Sequence, residues 1–264
     1  MPAFIHTSAA AALLGLPAAM LLMGLAWAIQ LCTRNAGIAD SLWSWALGLL
    51  GVLDAVLGSA PGPLRLLLGL LAGGWGLRLG GHLLRRNHGK PEDGRYRHLR
   101  QTWGFAADRK LFWFLQLQAG FALLLSVGFL AVAWRPDSPT PTALAAGLTT
   151  WLLAVGGEAL ADAQLAGFKR DPANRSRVCR RGLWRYSRHP NYFFECLHWV
   201  AYVFLAWGAP AWWLALLPPL VMAWLLLKLS GIPATEAQAA RTRPDYADYI
   251  RTTSAFFPWP PKKP

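Results

Sequence analysis

The sequence predicts an all-α polytopic membrane protein, and three observations carry that prediction. The chain is 55% hydrophobic and only 15% charged, whereas soluble domains carry about 25% charged residues. Several apolar runs approach the roughly 20 residues that a helix needs to cross a bilayer. The cationic residues are clustered rather than dispersed: of 26 lysines and arginines, nine lie in 78–110, eight in 169–188 and six from Lys228 onward.

Seven spans follow in order. The first, about 9–31, lacks a basic leader and runs on too far for a cleaved signal peptide. The second, about 41–58, is short and interrupted by Asp54, and the third, about 62–81, is rich in leucine and glycine. The fourth covers about 111–134, the fifth 142–161, the sixth 191–208 and the seventh 210–229. No repeat or low-complexity linker divides them, so 1–264 reads as one integral-membrane domain. The three basic clusters fall on one side of this arrangement. By the positive-inside rule that side is the cytoplasm, with the N-terminus outside and the C-terminus inside. The outward connections, near "GSAPGP" and "WGAPAWW", are short and almost uncharged. Chemistry is therefore expected on the cytoplasmic face.

The net charge of +13 is the usual footprint of nucleic-acid binding. Here the basic residues sit between apolar runs, so topology accounts for them and no nucleic acid is expected. Cys32, Cys179 and Cys196 form no C-x-x-C pair, which argues against a disulfide framework or structural zinc. No metal and no obligate protein partner are expected.

Three cytoplasmic stretches carry more than anchoring requires. The first is a basic loop over 78–110, in which "KPEDGRY" sets Glu92, Asp93, Arg95 and Tyr96 beside a proline and a glycine. An acid pair among so many bases implies specific ion pairs or a held ligand. In the second, "GGEALADAQLAGFKR", Glu158, Asp162 and Lys169 share one helical face, and acids within a span mark functional sites by default. The third, "RYSRHPNYFFE", places Pro190 at a helix start. Helix N-termini attract anions, and Arg180, Arg181, Arg185 and Arg188 crowd this one. Asn191 and Glu195 lie one turn apart on one face, a donor–acceptor pair suited to an amide or a ribose. An anchor alone leaves Glu195 as an unexplained cost of about 2–3 kcal/mol. In the tail, Glu236 sits on a short helix, Tyr246 and Tyr249 share a face, and "FFPWPP" reads as an interfacial plug.

These pieces resemble the membrane steroid 5-alpha-reductase family, in its bacterial branch of DUF1295 proteins. The matching strings are "GIADSLW", "RLGGHLLRRNHGKPEDGRY", "EALADAQLAGFK", "GLWRYSRHPNYFFE" and "RPDYADYIRTTSAFFPWPP", in family order from about 37 to 260. "RHPNY" by itself is shared with isoprenylcysteine methyltransferases and sterol C14 reductases. The resemblance implies seven membrane helices, NADPH held on the cytoplasmic side, and reduction of a carbon–carbon double bond conjugated to a ketone in a steroid or related lipid. It implies a cofactor set of Asn87, Asp162, Lys169, Arg177, Asn191, Glu195 and Tyr249, with Arg188, His189 and Tyr192 of the same string. The animal enzymes hold the ketone between a glutamate and a tyrosine. Asp40 lies near the glutamate's position, but the tyrosine's place falls near Trp75 to Arg78, where there is none. Asp40, Tyr96 and His82 are the three candidates for polarising the carbonyl. The glycine-lined second and third spans are expected to form the pocket for a flat lipid. The rival readings are an S-adenosylmethionine-dependent lipid methyltransferase and a non-enzymatic scaffold or transporter. The chain has no G-x-G-x-x-G in a βαβ setting, so no Rossmann domain is expected.

Overall fold

In the computed structural model, residues 2–174 and 176–262 are described, with side chains from Leu13 onward. Every regular element among them is helical. The long helices are α1 (Pro2–Thr33), α2 (Ile38–Leu57), α3 (Gly62–Asn87), α5 (Ala107–Ala133), α6 (Pro141–Arg170) and α7 (Pro190–Ala206). Shorter ones are α4 (Gly94–Trp103), α8 (Leu217–Trp224), α9 (Ile232–Thr242) and α10 (Tyr246–Thr252). A π turn, Leu225–Leu229, joins α8 to α9.

Five stretches are long and apolar enough to cross a membrane: Leu13–Thr33, Ile38–Leu57, Gly94–Ala133, Pro141–Arg170 and Trp212–Thr242. They match five of the seven expected spans. The other two fall on α3 and α7, which do not qualify by length and composition. The seven glycines and four arginines of α3 dilute its leucines, and α7 has 17 residues. The basic loop expected over 78–110 also differs, because α4 forms within it. Asp93 caps α4, its carboxylate accepting from the Arg95 N–H, which satisfies one of the donors a helix start leaves open.

The helices group into two compact units. The first comprises Met1–Thr140 and Ala206–Pro218. Its centre is α2, which packs on α1, α3 and α5. The approach of α2 to α3 depends on glycine: a Cβ on Gly76 would lie 2.8 Å from the Gly48 Cα and 2.9 Å from the Ser44 carbonyl oxygen. A Cβ on Gly80 would strike the Trp45 indole. These glycines let two backbones touch, as small residues do between membrane helices. Gly62, Gly74 and Gly81, by contrast, have nothing within 4 Å of where a Cβ would lie. Asp54 of α2 is buried in this unit.

The second unit comprises Pro141–Leu205 and Pro219–Pro264. Gly147 and Gly157 of α6 lie against Leu205 and Phe194 of α7. Around Ser187 the chain is tied to the tail by backbone bonds, Arg188 N–H to the Ser254 carbonyl at 2.8 Å and Trp259 N–H to the Tyr186 carbonyl at 2.9 Å. The expected interfacial plug divides in two. Phe256 is buried against Phe193, while Phe257 and Trp259 are exposed.

Candidate functional site

The first unit assembles a polar cluster where α2 begins and α4 follows the α3 turn. Asp40, in the first turn of α2, accepts from the Tyr96 hydroxyl on Oδ1 at 2.9 Å and from Arg95 on Oδ2 at 2.7 Å. The Tyr96 ring is buried and the Arg95 guanidinium lies over it, 5.6 Å from the centroid. Arg95 also reaches Asp93 at 3.1 Å. Burial works to raise Asp93, but the charge of Arg95 and its hydrogen bonds outweigh it, holding the carboxyl below its ordinary range.

A second network clamps the same turn. Glu92 accepts from Arg100 at 2.9 and 3.2 Å and from the Ala36 N–H at 3.0 Å. Arg100 continues to Gln30 at 2.9 Å and Asp108 at 3.1 Å, and Arg34 closes on Asp108 at 3.0 Å. Asn87 donates to the Gly37 carbonyl at 3.0 Å, tying the end of α3 to the start of α2. The acids of "KPEDGRY" therefore make specific ion pairs. Of the three carbonyl-polarising candidates, Asp40 and Tyr96 are joined directly. His82 is half-buried on α3 and hydrogen-bonded to neither.

The second unit builds its cluster around the start of α7. Asn191 donates to Asp162 Oδ1 at 3.4 Å, and Glu195 accepts from the Trp199 indole at 3.2 Å. Glu158, Asp162 and Glu195 are all buried, whereas Lys169 and Arg177 are exposed. His189 stacks on Tyr192 at 5.2 Å, and Tyr192 meets the Thr235 hydroxyl at 3.2 Å.

Behind this mouth lies a brace that the sequence did not reveal. Glu236 Oε1 accepts from Arg188 at 2.7 Å and sits 3.1 Å from His189 Nε2. Arg188 also donates to the Ile250 and Thr253 carbonyls. Ser187 accepts from the His189 N–H at 3.1 Å and donates to the Phe256 carbonyl at 2.8 Å. The Tyr249 hydroxyl bonds the Trp184 and Ser187 carbonyls. Burial pushes the Tyr249 phenol above its ordinary range, and Tyr246 up to about 12. Both stay neutral donors at physiological pH. Arg188 and Tyr249 thus have their polar groups engaged inside the fold. The signal for Glu236 was present as an acid in a basic tail, but its partners lie 47 and 48 residues away.

The donor set is mixed in its chemistry. Buried carboxylates and a side-chain amide can hydrogen-bond hydroxyl and amide groups, and exposed cations can pair with phosphates. Among the described residues no group of three or more His, Cys, Asp or Glu is placed to hold a metal ion.

No curated protein and no solved structure matches the chain. A family model does, that of the proteins of unknown function called DUF1295, over residues 26–253. That range takes in both polar clusters, and the chain belongs to the DUF1295 family.

Proposed function

We propose that the protein is an NADPH-dependent membrane reductase acting on a carbon–carbon double bond conjugated to a ketone in a steroid-like lipid. The observation that carries this reading is the polar group at the start of α7: buried Asp162 of α6 accepting from half-buried Asn191, and buried Glu195 one turn along. Apolar helices bear such groups only under a specific demand. The family resemblance supplies the same cofactor and the same residues. Seven spans, an outside N-terminus, a cytoplasmic C-terminus and a bacterial inner-membrane location complete the proposal, with α3 and α7 as the two shorter or more polar spans.

Bound NADPH would supply the hydride needed at the β-carbon of the enone. Asp162, Asn191 and Glu195 would bind and orient its ribose and carboxamide groups, and Lys169 and Arg177 would take its phosphates. Tyr96 polarises the carbonyl oxygen by turning its hydroxyl from Asp40 to the substrate, and the α-carbon then takes its proton from water. A donor aimed at the oxygen on which charge develops stabilises the transition state more than the ground state. Asp40, paired with Arg95, accepts from the Tyr96 hydroxyl and so positions the phenol.

The test is the loss of NADPH absorbance with detergent-purified protein, with and without progesterone, beside Glu195→Ala. Steroid-dependent oxidation that the variant loses supports the reading. NADPH binding that Glu195→Ala weakens, without oxidation, keeps the cofactor and moves the search to other enones. Binding of S-adenosylmethionine and none of NADPH sinks it.

A further inference from the structure

The second unit has a basic cavity that the proposed reductase chemistry does not use. It measures about 320 Å³ and lies between the 180–185 turn and the tail. Arg180, Arg185, Asp248, Thr252 and Lys262 line it. The one carboxylate there is already matched, since Asp248 accepts from Arg180 at 2.7 Å and from Arg251 at 2.8 Å. The Thr252 hydroxyl donates to the Asp248 carbonyl at 2.9 Å. The side chains of Arg185 and Lys262 are exposed and make no hydrogen bond or ion pair with another described residue. Two uncompensated cations therefore face one cavity. The Lys262 N–H, bonded to the Thr252 carbonyl at 2.8 Å, fixes the tail segment that forms its wall.

The chain beside these lining residues carries the second clue: Tyr186 follows Arg185, and Phe257 and Trp259 lie shortly before Pro261 and Lys262. Tyr186, Phe257 and Trp259 stand 41%, 67% and 70% exposed. Trp259 is tied to Tyr186 through the backbone, so the aromatic group borders the cationic one. Exposed aromatics beside arginine and lysine are the composition of a membrane–water interface, where rings sit at headgroup depth and cations meet phosphates. A soluble phosphate needs the cations but has no use for the rings.

We infer that this cavity binds the phosphodiester headgroup of an anionic glycerophospholipid, with Arg185 and Lys262 on the phosphate and Phe257 and Trp259 against the glycerol and upper acyl chains. Arg185 suits two phosphate oxygens through its fork, and Lys262 acts as a point charge. The site holds the tail against the bilayer. It stands independently of the reductase reading.

The experiment is native mass spectrometry of the full chain in neutral detergent, titrated with phosphatidylglycerol or phosphatidylcholine. Inorganic phosphate and NADPH serve as soluble competitors. Arg185→Gln with Lys262→Gln should weaken phosphatidylglycerol about 30-fold, roughly fivefold for each cation removed. It should leave phosphatidylcholine and NADPH binding unchanged. Trp259→Ser should weaken the lipid without touching any charge. Both sites are exposed, so folding survives, and an unchanged melting temperature checks this. Undiminished phosphatidylglycerol binding in the double variant overturns the inference. Displacement of the lipid by inorganic phosphate or NADPH also overturns it and makes the cavity a soluble-anion site.

Discussion

The Tyr96 hydroxyl donates to Asp40 Oδ1 at 2.9 Å, while Arg95, its neighbour in the chain, holds Oδ2 at 2.7 Å. The three groups have unequal alternatives. Arg95 is part-exposed and has Asp93 as a second partner, whereas the Tyr96 ring is buried. Removing Asp40 strands a buried hydroxyl, at about 1–3 kcal/mol, but removing the hydroxyl costs only about 1 kcal/mol. Asp40→Ala should therefore destabilise more than Tyr96→Phe, and the double variant less than their sum. Thermal unfolding in detergent reads all three. On the proposed reaction, Tyr96→Phe should lower kcat on the order of 10²-fold, as for an oxyanion donor, with NADPH affinity unchanged. Additive stabilities would show that the bond carries no energy.

Glu236 should matter to stability more than its place in a polar tail implies. It is the carboxylate partner of the buried Arg188 and of His189. Breaking a buried ion pair from one side leaves a charge without compensation, at a cost on the order of 3 kcal/mol. Glu236→Ala should lower the melting temperature and make the tail cleavable by protease near Ile250–Thr253, whose carbonyls Arg188 holds. Glu236→Gln keeps an acceptor and should fall in between. Asp248→Asn, in an exposed pair, should leave the melting temperature where it is. Equal effects at the two sites would refute the distinction.

Two glycines two residues apart on α3 should respond in opposite directions. At Gly76 a Cβ meets backbone atoms of α2 that have nowhere to retreat, while at Gly74 it meets nothing within 4 Å. Gly76→Ala should destabilise by about 1–3 kcal/mol through overpacking. Gly74→Ala should stabilise by roughly 0.5–1 kcal/mol through helix propensity. Paired unfolding curves decide it, and a tolerated Gly76→Ala would disprove the close approach.

The cysteines should differ in reactivity. Burial pushes the Cys179 thiol above its ordinary range, offset in part by the Arg181 N–H and the charges of Arg181 and Lys169. Less thiolate is then present at neutral pH, and the thiolate is the nucleophile. Iodoacetamide at pH about 7 should modify the exposed Cys32 first, leaving buried Cys179 and Cys196 largely unreacted. The Cys179 rate should climb as pH rises toward its elevated value. Peptide mapping by mass spectrometry follows each site. Modification of Cys179 as fast as Cys32 would contradict the burial.

The sequence by itself determined the helical class, five of the seven spans it predicted and the start of α7 at Pro190. It also placed Glu158 and Asp162 on one buried face. Apolar runs, proline and the helical period act within a few turns of chain, so a linear reading reaches them. Tertiary structure decided the rest. The bonds from Tyr96 to Asp40 and from Arg188 to Glu236 cross 56 and 48 residues, and no periodicity links such positions. The glycines of α2 and α3 could equally have lined a cavity. Only the meeting of Gly48 with Gly76 shows that these two serve close packing while Gly74 faces open space, because a residue without a side chain reports its role through what approaches it.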